Sequence, residues 1–171
     1  MMPTTTPLTI RRYQAPDWPQ LWPILKATID AGETFAFAPQ SSQTEVFKAW
    51  IETPGVAVYV ATTDDGTILG GYKIQANQPG LGSHVSNGSY VVAPKARGQG
   101  IAFAMCAHSQ EQALALGFKA MQFNLVVSTN EVAVQLWQKH GFTIVGTLPG
   151  AFLHRVHGYV DAYVMFKTLA T

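Results

Sequence analysis

The feature that most restricts the fold of this chain is a β-strand followed at once by a glycine turn and a helix, at residues 90–102. The strand spans 85–92, the turn carries Gly98 and Gly100, and helical periodicity runs over 99–116. Because glycine has no Cβ, successive backbone N–H groups in such a turn can point into one concavity, and the positive end of the helix adds to its attraction for an anion. The segment therefore predicts a cradle for a diphosphate.

Two common phosphate-binding loops do not match this turn. A Walker loop has Lys-Ser or Lys-Thr after its last glycine, where this chain has Ile101 and Ala102. A dinucleotide fingerprint starting at Gly98 needs a third small residue where Phe103 stands, and an acid at the end of the next strand, where none occurs. Taken alone, the segment also fits an ordinary strand-to-helix turn with glycines for steric reasons.

The hydrophobic pattern of the whole chain predicts a single α/β domain over residues 1–171. Asp17 predicts an N-cap for the first helix, and Ser42 with Glu45 predicts a capping box for the second. The order β-α-α-β-β-β-α-β-α-β-β predicts a mixed sheet with helices on both faces. Predicted strands cover 8–13, 56–62, 68–76, 85–92, 120–127, 142–147 and 159–166, and predicted helices cover 18–29, 42–51, 99–116 and 131–140, with loops at 33–40 and 148–158.

Composition limits the classes of partner. Hydrophobic residues make up 47% of the 171 residues and charged residues 12%, which predicts apolar surface in an oligomer interface or a large ligand cleft. The net charge is +1 with no run of Lys and Arg, so nucleic acid is not expected as a partner. The single cysteine, Cys106, lies in an apolar helical stretch and is expected to be a buried thiol.

The chain has no apolar stretch long enough to span a membrane, and its N-terminus lacks a signal-peptide core. We therefore expect a cytoplasmic protein with no membrane partner. The sequence leaves open whether Arg11 and Arg12 belong to an organelle-targeting segment, although strand residues are the expected role.

The glycine turn also carries a resemblance to a known family. The pattern Arg97-x-x-Gly100-x-Ala102, placed after a Val-x-Pro strand end, resembles the Arg/Gln-x-x-Gly-x-Gly/Ala motif of GNAT acetyltransferases. Downstream, Asn130-x-x-Ala133-x-x-x-Trp137-x-x-x-Gly141-Phe142 is similar to the second CoA-binding element of that family. The resemblance covers roughly residues 8–168. It implies the GNAT fold, in which a mixed central sheet is splayed between strands 4 and 5 with helices on both faces.

The same resemblance implies acetyl-CoA as cosubstrate, no metal, and direct attack by an amine in a ternary complex. Pantetheine would lie in the V-shaped gap of the sheet like an additional strand. Backbone groups of Tyr90, Val91 and Val92 would bind it and polarise the thioester carbonyl, and Asn130 would contact the pantetheine arm. By the same resemblance, the pyrophosphate would be held by Arg97, Gly98, Gln99, Gly100, Ile101 and Ala102.

The chain departs from the family at Trp137, which we include among the cofactor-site residues. Many members have Tyr there, where the hydroxyl can protonate the departing thiolate. An indole N–H has no useful acidity, although it can donate a hydrogen bond. We therefore expect Trp137 to be mainly a packing residue.

A narrower resemblance concerns the acceptor. Segments 83–88 and 123–130, with Trp at 137, look like fungal proline-analogue N-acetyltransferases, which act on azetidine-2-carboxylate. That similarity implies that Asn87 and Asn124 face the acceptor. An inward Asn on an apolar strand needs a polar partner, and its amide can bind a carboxylate or an imino group. The alternative is that both are core asparagines bonded to backbone at a strand distortion.

The general base is not fixed by the sequence. Glu33, His84 and Asp161 are candidates, and an ordered water or an acceptor that arrives neutral is an equal alternative. His154 and His157 lack a carboxylate or Cys partner at metal-binding spacing. As further loop residues, Phe35, Phe37 and Phe152 are candidates to wall the mouth of the acceptor site, with ordinary packing as the alternative.

We therefore expect an N-acetyltransferase acting on a small amine or imine, such as an amino acid, a proline analogue or a toxic amine. A peptide or protein N-acetyltransferase is the first alternative, and loop 148–158 with Phe35 and Phe37 would close the open groove that it needs. A non-enzymatic acyl-CoA-binding regulator is the second alternative, since Tyr is missing at position 137. The low charge content predicts a homodimer.

Overall fold

The computed structural model describes residues 7–170, in which seven strands form one mixed sheet. The strands are β1 (Thr9–Arg12), β2 (Ala57–Thr62), β3 (Ile68–Ala76), β4 (Val85–Val92), β5 (Ala120–Val127), β6 (Thr143–His154) and β7 (Gly158–Thr168). The helices are α1 (Trp18–Ala31), α2 (Gln43–Phe47), α3 (Ile101–Ala115) and α4 (Glu131–Lys139). The sheet order is β1-β2-β3-β4-β5-β7-β6, and the pair β4–β5 is parallel while the other neighbours are antiparallel. The predicted element order and mixed sheet are confirmed, whereas the signal-peptide prediction falls in part on residues 1–6, outside the described range.

Two consecutive glycines of β3 show that helices cover both faces of the sheet. A Cβ on Gly71 would lie 3.1 Å from Leu21 Cδ1 of α1, and a Cβ on Gly70 would lie 3.2 Å from Met105 Cε of α3. Because successive strand residues face opposite sides, α1 and α3 pack on opposite faces. Both helices approach β3 closely only because these positions carry no side chain.

The predicted N-cap role of Asp17 is wrong, because its side chain makes no capping bond to α1. The carboxylate is buried and accepts two hydrogen bonds from the Arg11 guanidinium, each 2.8 Å long, and one of 2.7 Å from the Gln14 N–H. This bidentate pair holds the pKa of Asp17 below its usual value, with the Arg11 hydrogen bond as the main cause. The pair ties the start of α1 to β1.

The predicted capping box at the second helix is confirmed. The Glu45 N–H donates to Ser42 Oγ over 3.2 Å, and the Ser42 N–H donates to Glu45 Oε2 over 2.6 Å. After α2 the chain continues as a π-helical segment, Lys48–Glu52. This segment places Trp50 in the core, fully buried.

The predicted loop over 148–158 is also wrong. Strand β6 runs through to His154 and pairs with β7 up to Gly158, with a register shift between Leu148 and Phe152. Pro149 and Gly150, which favour a loop in the sequence, lie at this irregularity, where three residues of β6 stand opposite one residue of β7 without ending the strand.

Among residues 7–170, none of the helices combines the length and the apolar character that crossing a lipid bilayer requires.

Candidate active site

The centre of the sheet contains a gap between β4 and β5. The two strands pair only where Val85–Asn87 meet Ala120–Gln122. Beyond that point Gly88–Val92 still pairs with β3, but its other edge faces no strand within the described chain. Backbone N–H and C=O groups along that edge are therefore available to a ligand that lies alongside the strand.

Bulky side chains separate the two strands. Trp137 of α4 packs against Tyr90 of β4 and Phe123 of β5, with ring centroids 4.8 Å away in both cases. Strand β5 also loses its register with β7 between Phe123 and Val126. The aromatic contacts and this irregularity together account for the splay that the family resemblance implies, and Trp137 has the expected packing role.

The gap opens into a cleft of about 930 Å³. We call one end the glycine-turn half; it is formed by Ala96, Arg97, Gly98, Ile101, Ala102, Asn130, Ala133, Leu136 and Trp137. We call the other end the aromatic-loop half; it is formed by Thr28, Ala31, Glu33, Phe35, Phe37, Trp50, Lys73, Asn87, Ser89 and Asn124. Tyr90, Val91 and Val92 line the cleft between the two halves.

The glycine-turn half has the geometry of an anion site. Gly98 and Gly100 have φ angles of +75° and +79°, and a Cβ at either position would meet nothing within 4 Å. Gly100 precedes α3, and no side chain caps this helix, so the N–H groups of its first turn are left for a ligand. Arg97 is exposed beside the turn. The arrangement fits a diphosphate, which takes both the backbone donors and the guanidinium.

Asn130 begins α4 and faces the cleft. Its side-chain oxygen accepts a hydrogen bond of 3.3 Å from the Ala133 N–H, which leaves its amide N–H groups free of the helix cap. Gln99 is different, since its side-chain amide donates to the Lys95 carbonyl over 3.3 Å and does not line the cleft. Gln99 and Gly100 can therefore serve a ligand only through the backbone of the turn.

The hydroxyl of Tyr90 does not replace the absent tyrosine at position 137. It lies 2.6 Å from Ser109 Oγ on α3, and burial raises its pKa well above the ordinary value. A phenol held in this way is a poor proton donor to a leaving group in the gap. Tyr90 thus contributes its backbone and its ring to the cleft.

Strand register brings the polar residues of the aromatic-loop half onto one face. Lys73 is opposite Ser89, and Asn87 lies two residues along on β4, so their side chains share the face covered by α1. The Lys73 ammonium donates to the Ala49 carbonyl over 2.7 Å and lies 5.8 Å from the ring centroid of Trp50. Sequence reasoning missed Lys73, although a lysine in the apolar run of β3 is the signal that could have found it.

The two predicted acceptor asparagines both line the cleft but differ in environment. Asn87 is half-buried, and its amide donates to the Gln122 carbonyl over 3.1 Å at the last paired position before the gap. Asn124 is exposed; it donates to Asn77 Oδ1 over 2.7 Å and accepts from Gln122 Nε2 over 2.9 Å. The backbone bond of Asn87 is the kind that the core-asparagine alternative requires, whereas its Oδ1 accepts no hydrogen bond from the residues that the structure describes.

The three candidate general bases lie in different places relative to the cleft. Glu33 follows α1 and lines the cleft. His84 is exposed at the start of β4 and is not part of the lining. Asp161 accepts the Gly150 N–H over 2.9 Å on the β6–β7 hairpin, outside the lining.

Phe35 and Phe37 wall the cleft as expected, whereas Phe152 is buried in the hairpin and does not line the cleft.

His154 and His157 shape the turn of the β6–β7 hairpin. His154 Nδ1 accepts the N–H groups of Val156 and His157 over 3.1 and 3.2 Å, and the two imidazole rings stack at 4.6 Å. Within residues 7–170 no cluster of His, Cys, Asp and Glu has metal-binding geometry.

Cys106 is buried, as expected, and burial raises the pKa of its thiol to about 12.

Known proteins share both the sequence pattern and this architecture. The sequence model of the acetyltransferase (GNAT) family matches residues 11–142. The N-acetyltransferase aca1 of Schizosaccharomyces pombe is 34% identical over 155 residues, which cover 85% of this chain and 70% of that protein.

Solved structures give the same result for the fold. A GCN5-related N-acetyltransferase from Kribbella flavida superposes with a TM-score of 0.90 at 41% identity, covering 94% of this chain and 97% of that one. A phosphinothricin acetyltransferase from Sinorhizobium meliloti, solved in complex with acetyl-CoA, has a TM-score of 0.84 at 22% identity, with 95% and 89% coverage. The chain therefore belongs to the GNAT family and is an acetyl-CoA-dependent acetyltransferase.

Proposed function

We propose that the chain transfers acetyl from acetyl-CoA to the amine or imine nitrogen of a small molecule, by direct attack while both substrates are bound. The observation that carries this proposal is the cleft itself. Its glycine-turn half offers backbone donors and Arg97, whereas its aromatic-loop half is walled by Phe35, Phe37 and Trp50. These rings favour a compact acceptor over an extended peptide.

The proposed donor side of the reaction depends on backbone groups. Bound acetyl-CoA supplies an activated acetyl thioester. The turn from Arg97 to Ala102 would hold its diphosphate, and Asn130 would bind the pantetheine amides. The unpaired edge of Gly88–Val92 offers N–H donors toward the thioester carbonyl, where negative charge develops during attack. Such donors are already fixed by pairing with β3 and need no rearrangement.

The proposed acceptor side depends on side chains. Asn87 and Asn124 orient the amine, and Glu33 accepts its proton during attack. We choose Glu33 because it alone of the three candidate bases lines the cleft. A base has to reach the proton directly or through one water, which His84 and Asp161 do not satisfy from their positions.

We further propose a homodimer that forms through the β6–β7 hairpin. Strand β6 is the last strand of the sheet and is 12 residues long, and it exposes apolar side chains. Val145, Leu153 and Tyr159 are 60%, 64% and 78% exposed. An edge of this length and character is normally covered. Light scattering should give twice the chain mass, and Leu153→Lys should lower it to the mass of one chain; a monomeric wild type contradicts the proposal.

The activity is tested with purified protein, acetyl-CoA and a panel of acceptors. Calorimetry should detect binding of acetyl-CoA, and release of free thiol should follow the addition of small amines or imino acids such as azetidine-2-carboxylate. Peptides with free N-termini serve as the competing class. Faster thiol release with peptides than with any small amine would overturn the small-molecule proposal, and absence of release with every acceptor would overturn the transferase proposal.

A further inference from the structure

Lys73 is a cation inside the cleft that the proposed chemistry does not use. It lies in the middle of β3, is half-buried, and lines the aromatic-loop half. Lysine is rarely buried without a partner, because the ammonium group loses its hydration. Its position inside a substrate cleft therefore requires an explanation beyond packing.

No carboxylate of the described chain neutralises Lys73. The ion pairs found among residues 7–170 are Arg11–Asp17 and Lys26–Asp30. The neutral Ala49 carbonyl takes one of the three ammonium donors, and the Trp50 ring centroid lies 5.8 Å from the ammonium nitrogen. Burial lowers the pKa of Lys73, because desolvation penalises its charged form. An anion in the cleft would offset that cost.

Two polar neighbours of Lys73 complete a candidate anion-binding site. Ser89 is directly opposite Lys73 in the register, and Asn87 is the next β4 residue on the same face. Both line the cleft. A hydroxyl, an amide and an ammonium on one face can donate to the two oxygens of a carboxylate. The apolar rings of Phe35 and Trp50 bound the same space, so an anion there would be partly shielded from water.

A purely structural role explains only part of this arrangement. In that role the whole purpose of Lys73 would be its hydrogen bond to the Ala49 carbonyl, which belongs to the π-helical segment. That role uses one donor and does not require the residue to border the cleft. It also predicts that removal of the ammonium would affect all acceptors equally, whereas a binding role predicts an effect only on acceptors that carry an anion.

We propose that Lys73 binds the carboxylate of the acceptor, so that the substrate is an amino or imino acid and not a simple amine. This inference rests on the proposed function, because it assigns a substrate class to the same cleft. Lys73 thereby determines specificity, while Glu33 and the β4 edge serve the transfer itself. A charged anchor beside the asparagines would place the amine nitrogen in a fixed orientation relative to β4.

The test compares azetidine-2-carboxylate with azetidine, which has the same ring nitrogen and no carboxylate. Lys73→Met should lower kcat/KM for the acid by roughly 10- to 100-fold, mainly through KM, since it removes a hydrogen bond to a charged group. The value for azetidine should change less than about threefold, because that acceptor never contacts the ammonium. Lys73→Arg should retain more of the preference for the acid than Lys73→Met, and Lys48→Met, at an exposed lysine of the π-helical segment, should change nothing.

Two results would overturn the inference while leaving the proposed function intact. One is an equal loss for azetidine and its acid in Lys73→Met, which indicates a structural role. The other is an unchanged preference in that variant. Calorimetry with CoA and azetidine-2-carboxylate gives a second readout that needs no turnover: wild type should bind the acid and folded Lys73→Met should bind it more weakly. Failure of the wild type to bind azetidine-2-carboxylate, proline or any other amino acid also overturns the inference, whereas thiol release with simple amines would keep the transferase proposal.

Discussion

The two halves of the cleft are built in different ways. The glycine-turn half comes from one continuous segment, Ala96 to Ala102, together with α4, and its turn presents backbone N–H groups at the start of α3. The aromatic-loop half is assembled from side chains on α1, the loop after it, the π-helical segment, β3, β4 and β5. A backbone site depends on local conformation, whereas a side-chain site depends on the packing of distant elements.

This difference has a consequence for specificity. Every acyl-CoA presents the same diphosphate, so a backbone cradle needs little variation between proteins that use it. Acceptors differ in size and charge, and side chains such as Phe35, Lys73 and Asn87 can change without altering the main chain around the glycine turn. We therefore expect substitutions in one half to leave binding in the other half intact.

The largest effect is expected for Gly100→Val. Valine strains a backbone with φ of +79° and adds a branched side chain where N–H groups should face the diphosphate. Acetyl-CoA should bind roughly 100-fold more weakly, because hydrogen bonds to a charged group are lost. Gly55→Val is the matched control, since Gly55 has φ of +76°, equal open space, and a position outside the cleft lining. Calorimetry should show normal affinity in the control, and equal losses in both variants would contradict a local role for the turn.

The second prediction concerns the proton acceptor. Glu33→Gln should lower kcat by roughly 100-fold, since a general base contributes at least that much when the amine must lose a proton. Acetyl-CoA affinity should remain unchanged. His84→Gln and Asp161→Asn are the controls, because neither residue lines the cleft. Steady-state kinetics with full activity in Glu33→Gln would show that the acceptor arrives neutral or passes its proton to water.

A smaller effect is expected for the two asparagines. Asn87→Ala should lower kcat/KM for the acceptor by roughly tenfold, because a half-buried amide near the gap is removed. Asn124→Ala should have a weaker effect, since Asn124 is exposed and is already bonded to Asn77 and Gln122. Asn77→Ala removes a partner of Asn124 without altering the cleft lining and is the control. Acceptor kinetics that are unchanged in both cleft variants would assign the asparagines to the core alternative.

The smallest effect concerns the anchor of α1, the helix that leads into the aromatic loop. Asp17→Asn should reduce the free energy of unfolding at pH 7 by about 1 kcal/mol, because Arg11 is partly exposed and the pair is screened. The pKa of Asp17 is lowered in the folded chain, so the pair stabilises above the ordinary value of about 4 and loses its contribution as the pH falls through the folded-state pKa. Urea unfolding at pH 7 and pH 3 should therefore show a smaller difference in the variant. An equal difference in both proteins would contradict this role.

Local sequence signals explain why much of the fold could be predicted. Ser42 and Glu45 form a capping box from residues three positions apart, and the glycine turn needs only its own backbone. The two predictions that were wrong concern residues whose partner lies on another element of the fold. The Asp17 carboxylate binds the Arg11 guanidinium of β1 and does not cap α1. Pairing with β7 on both sides of Pro149 and Gly150 makes this segment part of a strand.

The sequence by itself determined the order of the elements, the glycine turn before α3 and the family to which these motifs belong, because each depends on neighbouring residues or on hydrophobic periodicity. Only the tertiary structure placed Lys73 beside Ser89 and Asn87, separated Glu33 from His84 and Asp161, and directed the hydroxyl of Tyr90 to Ser109. Those relations depend on strand register and on which face each side chain occupies. A shift of one residue in register would reverse the faces, so no local pattern could have fixed them.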